Sequence, residues 1–415
     1  MELGDHLFRR EAGRMVAALT RVLGVHNLAL AEDVVQDSFC RAFEVWKFRG
    51  IPENPSAWLM ATAKNRALDM LRRERTVRTF APEIDRLLQS EWTLAPMVEE
   101  LFSAHAIKDD QLRMMFSCCH RQLPEEAQVA LMLNILCGFS VSEIAAGFVS
   151  GQAAIEKRIT RAKKVLATSK KLFDVASSAE FEARLPAVQR ALYLLFNEGY
   201  HGASAQTAIR TELCREAMRL TALLIDHPLG ATPSTYALAA LICLHAARLP
   251  ARTDMGGNLN TLFDQDRSRW DQELVTEGQR FLELSASGAG LSEYHIESAI
   301  ASIHICARRV EETDWGTIVS LYDTLLGMRR SPIAALSRAI AIAQRDGPES
   351  GLEAIHAIED RGRLLAYPFY FAAQGELELS CGRNDLARVH FREAAALARN
   401  PMERDFLERR IGACG

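Results

Sequence analysis

The chain has 415 residues, 48% of them hydrophobic and 25% charged; this composition excludes a disordered polymer and leaves enough apolar side chain for roughly two to four domains. Its longest apolar runs, at 129–139 and 236–247, are too short to cross a bilayer, its first fifteen residues lack a basic flank followed by an apolar stretch, and its nine scattered cysteines show no pairing pattern, so a reducing, cytoplasmic setting without membrane association is expected. The net charge of −4 divides unevenly: residues 1–172 hold 24 Lys and Arg against 21 Asp and Glu, the remainder 25 against 32, and 151–172 alone has seven basic residues and one acid, which fits a local polyanion contact or a solvated helix face.

The apolar periodicity is helical almost throughout, and alternating runs of Val, Ile and Thr are missing, which predicts an all-α protein. Helices are expected at 6–23, 29–48, 56–75 and 96–107, with Ser56 as an N-cap after IPENP and a linker over 76–95. Further helices are expected at 109–121, 124–137, 141–147 and 151–171, then a boundary near 172–182. Beyond 183 the chain reads as a long helical series broken near 227–234, 254–258, 285–290, 329–332 and 345–351. Residues 334–344 and 351–359 look like one helical pair, and 370–401 like another. In the latter, Ala372, Ala373 and Gly375 would let two helices approach, Gly382 would sit in the turn, and Phe391 between Ala387 and Ala394 would fill the gap. That spacing resembles a tetratricopeptide unit.

Two motifs bear on function. In 124–167, Pro124 opens a helix, Ser142 is placed to cap a short second one, and a tight turn at Val149–Ser150 leads into a basic third. This is the layout of a helix-turn-helix. Along the last helix Ala154, Ile155, Ile159, Ala162, Val165 and Leu166 form an apolar stripe, while Gln152, Glu156, Lys157, Arg161 and Lys164 fall on other faces. Arg and Lys there would neutralise phosphates, and polar side chains would enter a major groove. The second motif is AEDVVQDSFCRAFEVW (31–46) followed by ENPSAWLMATAKNRALDMLRRERT (53–76).

Together these segments resemble a bacterial RNA polymerase sigma factor of the extracytoplasmic-function group, 31–76 matching its region 2 and 124–167 its region 4. Segments 109–120, 185–204, 213–224, 262–278 and 313–326 are similar to a subgroup with a long tetratricopeptide-like helical extension. The resemblance implies four parts: region 2 at 1–78, a linker at 79–108, region 4 at 109–172 and the extension at 183–415.

It implies partners and site residues as well. Asp33, Gln36, Asp37 and Arg41 would meet the core polymerase, in particular the β′ coiled coil, with β as a further subunit partner. Lys64, Asn65, Asp69, Arg72 and Arg73 would face the −10 element of promoter DNA. There an unstacked base is trapped, and Asn65, whose amide both donates and accepts, would read a base edge. Gln152, Ala154, Lys157, Arg158 and Arg161 would read the −35 element. Ala61 and Val149 depart from the usual pattern, which has a basic residue and a glycine at these positions. No catalytic set, cofactor or metal is expected.

Cys118, Cys119 and His120 lack a second ligand pair and read as core packing. Asp264, Asp266, Arg267, Arg269 and Asp271 read as an ion-pair network, with a hydrolytic site as the sharper alternative. Asn197, Glu198 and Tyr200 are placed to pin a helix junction. The acidic extension is expected to control the first two domains or to help engage polymerase, in response to a protein or ligand partner. A stand-alone duplex-binding regulator and an enzyme fused to a DNA-binding module remain as alternatives. The 31–76 pair argues against the first, and the missing acid, nucleophile and metal spacings argue against the second.

Overall fold

The computed structural model describes residues 2–77, 104–148, 150–168, 178–201, 209–288 and 290–415. Among the described residues the protein is all-α: eighteen α-helices and short 3-10 turns, with no strand beyond one isolated bridge between Thr253 and Leu259. No helix among them is long and apolar enough to cross a membrane. The chain divides into two compact units, Met1–Leu192 and Tyr193–Gly415.

The first unit contains α1 (Glu2–Leu23), α2 (Leu28–Arg49), α3 (Pro55–Val77), α4 (Ala104–Cys118), α5 (Glu125–Leu136), α6 (Val141–Gly147), α7 (Gln152–Ala167) and the start of α8 (Ser178–Tyr200). Helix α1 is its hub, packing against α2, α3, α4 and α5 through a face that buries Met15, Val16, Ala18 and Leu19. Gly13 sets how closely α5 approaches, because a Cβ there would lie 2.1 Å from the carbonyl oxygen of Leu136. At the other end, Phe181 of α8 stacks on Phe116 of α4 with centroids 4.2 Å apart, and Arg184 donates to the Phe116 carbonyl at 3.0 Å. The first turns of α8 therefore belong to this core. Much of the expected linker at 76–95 and of the helix at 96–107 falls on residues outside those described, as does Val149.

Two caps differ from expectation. Helix α3 begins at Pro55, so the cap is the residue before it: Asn54 Oδ1 accepts from the Ala57 N–H at 3.0 Å, and Ser56 lies inside the first turn. Helix α6 is capped by Ser140 instead of Ser142. Glu143 stands three residues after Ser140, and its carboxylate accepts from the Ser140 N–H at 2.7 Å, which completes a capping box. Ser142 has Ala145 at the corresponding position and cannot form one.

The second unit holds the end of α8, then α9 (Thr211–Asp226), α10 (Pro233–Ala246), α11 (Gln272–Ser285), α12 (Glu293–Cys306) and α13 (Trp315–Met328). It continues with α14 (Pro332–Asp346), α15 (Pro348–His356), α16 (Pro368–Ser380), α17 (Asn384–Ala396) and α18 (Pro401–Gly412). From α9 to α18 consecutive helices pack on one another, and prolines open α10, α14, α15, α16 and α18, where their missing N–H leaves no bond unmade. Four of the five expected breaks fall at helix ends, including Gly347 at φ +100° between α14 and α15, while 254–258 lies within the long connection from α10 to α11.

The pair α16–α17 is built as its small residues suggest. A Cβ at Gly375 would lie 2.8 Å from the Phe391 ring, Ala387, Phe391 and Ala394 are fully buried, and Gly382 turns the chain at φ +75°. Burying Phe391 contributes on the order of 2–3 kcal/mol.

Candidate nucleic-acid and partner interface

The first unit presents two polar helix surfaces. On α2 the inner face is Leu28, Ala31, Val34, Val35, Ser38, Phe39 and Ala42, all buried. Asp33, Gln36, Asp37 and Arg41 are all exposed. Phe43 and Phe48 join this open surface at 53% and 84% exposure, followed by Ile51 at 53%. These exceed what core packing leaves uncovered, so the apolar residues of this segment divide between the core and the surface. Exposed apolar groups beside charged ones are what a docking face requires. Trp46 is only half-buried and meets Trp58 of α3 edge to face, centroids 5.4 Å apart. Trp58 thus helps tie the two helices together.

On α3, Leu59, Met60, Ala63 and Ala67 face inward. Ala57, Ala61, Asn65 and Asp69, each four residues apart, form an exposed ridge, with Lys64 half-buried beside it. Asn65 and Asp69 are therefore on one face and Lys64 on its flank. Arg72 and Arg73 lie on the same helix, and their side chains are outside the described set. Arg66 joins α3 to α2: its Nη2 and Nε donate to Asp37 Oδ2 at 3.0 and 3.2 Å. Asp37 is thus a held carboxylate, oriented by a residue that no local pattern distinguishes.

The second surface is α7. It packs on α5 and α6 by burying Ile155, Ile159, Ala162 and Leu166. This is the expected stripe with two corrections: Ala154 is exposed and Val165 only partly buried, because both fall outside the i, i+4, i+7 series of the buried positions. Gln152, Lys157 and Arg161 are exposed with it. Arg158 is different, since its Nη2 is 3.0 Å from Glu126 of α5, which holds the guanidinium against the supporting helix. Lys163 reaches Glu32 of α2 at 2.7 Å, so α2 and α7 share a direct contact in this unit.

Cys118 and Cys119 are buried; burial is the first cause that pushes the Cys118 thiol well above its usual range and that of Cys119 up to about 12. Neither is a thiolate at neutral pH. Among the described residues no three His, Cys, Asp or Glu side chains are grouped to hold a metal.

In the second unit Glu198 meets Arg210 at 2.6 Å, both buried, and pins α8 to the start of α9. The cluster near 264–271 is a correction. Asp266 caps the turn at Ser268, Asp271 accepts from the N–H groups of Glu273 and Leu274, and Asp264 accepts from the Thr261 hydroxyl. Arg267 and Arg269 donate to backbone carbonyls. Asp266 and Asp271 serve as turn and helix caps, because each precedes free N–H groups that it can reach, while Asp264 is held by a hydroxyl.

The family model for sigma-70 region 2 matches residues 7–77. A second model, described only as a family of unknown function (DUF6596), matches residues 184–286. An uncharacterized protein of Rhizobium meliloti (strain 1021) is 35% identical over 402 residues, covering 96% of this chain and 94% of its own length. The RNA polymerase sigma factor CarQ of Myxococcus xanthus is 34% identical over 148 residues, covering 34% of this chain and 74% of its own length. No solved structure matches the chain. The matched region spans α2 and α3, the hairpin that exposes Asp33, Gln36, Asp37 and Asn65, and the chain belongs to the RNA polymerase sigma factor family.

Proposed function

We propose that this chain is a transcription initiation factor of the extracytoplasmic-function type. In this reading α2 docks on the core polymerase, chiefly on β′. Asp33, Gln36, Asp37 and Arg41 supply the polar contacts, and Phe43 supplies apolar area that is covered only on docking. The ridge of α3 faces the −10 element, with Asn65 reading a base edge and Lys64, Arg72 and Arg73 holding phosphates. Helices α6 and α7 act as a helix-turn-helix on the −35 element, Gln152, Ala154, Lys157 and Arg161 lying on the open face and Arg158 positioned through Glu126. The chemistry of RNA synthesis stays with the polymerase. The acidic series from 183 onward is a tetratricopeptide-like regulatory extension of the same chain.

The observation that carries this reading is the α2–α3 hairpin within the sigma-70 region 2 match. Asp33, Gln36, Asp37, Arg41, Asn65 and Asp69 line its exposed faces, while the positions between them form the core.

Run-off transcription with core polymerase and templates randomised at the −10 and −35 elements tests it. Protein-dependent transcripts are expected from the full chain. Duplex binding without any such transcript sinks the reading in favour of a stand-alone regulator. A truncation meant to report on the extension has to end after Leu192, because one ending near 175 removes Phe181 from the ring of Phe116. A transcript level unchanged by that truncation, with polymerase binding also unchanged, would rule out a regulatory role for the extension.

A further inference from the structure

The second unit gathers positive charge on one buried and two partly buried arginines for which the sigma reading has no use. His245 lies in the last turn of α10, and Arg248 and Arg252 flank the short 3-10 turn Leu249–Ala251 that follows it. Arg248 is 7% exposed, and its Nε donates to Gln265 Oε1 at 3.3 Å. The Trp270 ring, on a side chain 5% exposed, lies 5.9 Å from the Arg248 guanidinium carbon and 4.9 Å from that of Arg267. Arg252 lies over the Tyr200 ring at 4.6 Å and donates to the Tyr200 carbonyl at 3.0 Å.

These three guanidiniums form no ion pair with a carboxylate among the described residues. The acids that act on them do so from a distance or are occupied. Glu403, which acts on Arg252, is taken by Arg399 at 2.6 Å, and Glu311 and Glu312, which act on Arg267, are exposed.

The unmet hydrogen bonds point the same way. Arg252 Nε, Gln265 Nε2 and Trp270 Nε1 are buried and have no acceptor among the described residues. All three are N–H donors, and two belong to side chains more than nine-tenths buried. Orphaned donors beside unneutralised cations lack one thing, an anionic acceptor; leaving either uncompensated is unfavourable in a protein interior. The surrounding potential is also visible in His245 and His304, which burial first, and Arg248 next, keep neutral.

We infer that the Arg248–Gln265–Trp270–Arg267 cluster, with Arg252 beside it, is a binding site for a small oxyanion of the phosphate class, either free phosphate or the phosphoryl group of a small metabolite. Guanidinium forks bind such oxygens bidentately, and the amide and indole N–H groups supply neutral donors to the remaining ones. The site lies in a segment described only as belonging to a family of unknown function. It stands independently of how the first unit meets polymerase or DNA.

Isothermal titration of the full-length protein tests it, with inorganic phosphate and glucose 6-phosphate as probes and potassium chloride at matched ionic strength as the reference. Saturable binding of at least one probe is expected, together with a rise in the unfolding midpoint that grows with its concentration. Phosphate alone would identify the free ion, and glucose 6-phosphate alone the esterified group; both support the site. Trp270→Phe keeps an aromatic ring and removes the indole N–H, and Arg248→Gln removes the charge. Each is expected to weaken binding by about tenfold or more. Should Arg248→Gln fail to fold, Trp270→Phe decides. No saturable binding beyond the chloride reference, or an affinity unaltered by Trp270→Phe, overturns the proposal.

Discussion

Lys163 of α7 donates to both carboxylate oxygens of Glu32 on α2, at 2.7 and 2.9 Å, across 131 positions of sequence. Both side chains are partly buried, at 33% and 28% exposure, so the pair is screened less than a surface bridge and more than a core one. It joins the helix proposed to dock on polymerase to the helix proposed to read DNA. Lys163→Glu is expected to destabilise the first unit by about 1 kcal/mol, and Glu32→Lys in the same chain to restore most of the loss. Urea unfolding of the two single variants and the double variant measures this coupling. Strictly additive effects would show that the contact contributes nothing.

The positions on α7 are expected to separate by role. Lys157→Ala should weaken duplex binding about equally on all sequences and reduce the salt slope by about one, as loss of one phosphate contact does. Gln152→Ala should instead relax the preference at one −35 position, by about 1–3 kcal/mol of discrimination. Arg158→Ala should cost stability as well as affinity, because it also loses Glu126 at 3.0 Å. Fluorescence anisotropy on a panel of single-base variants at two salt concentrations distinguishes the three.

Gly375 is a tight packing point of the second unit. Gly375→Ala places a methyl 2.8 Å from the Phe391 ring, which is fully buried and cannot swing into solvent. Overpacking of this kind costs about 1–3 kcal/mol. Adding Phe391→Leu should recover part of that cost, and the denaturant midpoints of the single and double variants give the comparison. A Gly375→Ala protein as stable as the parent would mean that α16 and α17 separate more easily than their packing indicates.

Stability of the second unit should fall in mild acid. Burial, and then the charges of Arg248 and other neighbours, hold the His245 pKa at about 3 and that of His304 at about 4. In the unfolded chain both titrate near 6.5, so between about pH 6.5 and 4 the unfolded state binds more protons than the folded one. The contribution from their neutral burial is complete above pH 6.5 and is lost as pH falls through this window, by up to about 1.4 kcal/mol per pH unit for each histidine. Urea midpoints at pH 7.5, 6.0 and 5.0 should show the decline, and His245→Phe should flatten it. An equal slope in parent and variant would assign the effect to other groups.

Much of the fold was legible because it is local. Helical periodicity, the glycines at 347 and 382 and the prolines at helix starts act within a few residues, and the elements form where those signals stand. The same holds for Gly375 and Phe391, whose spacing already implies two helices in close approach. Caps were less secure. Ser140 and Ser142 are equivalent until the reach of Glu143 selects between them, and the same ambiguity placed Ser56 where Asn54 acts.

The candidate surfaces divide along the same line. The positions of Asp33, Gln36, Asn65, Lys157 and Arg161 on exposed faces follow from helical phase, which the residue pattern of 31–76 and 124–167 determines. Which charges are held, and by what, does not. Asp37 with Arg66, Arg158 with Glu126 and Lys163 with Glu32 pair side chains from different helices. A solvated carboxylate and a paired one are written with the same letter, and only packing separates them. Residues 264–271 show the converse: neighbouring opposite charges suggested ion pairs, yet backbone N–H and carbonyl groups took the side chains instead. The cationic cluster around Arg248 and Trp270 depends most on the tertiary structure. Its charge is ordinary in one dimension and becomes a concentrated potential only when α10 and the segment before α11 bury the same side chains together.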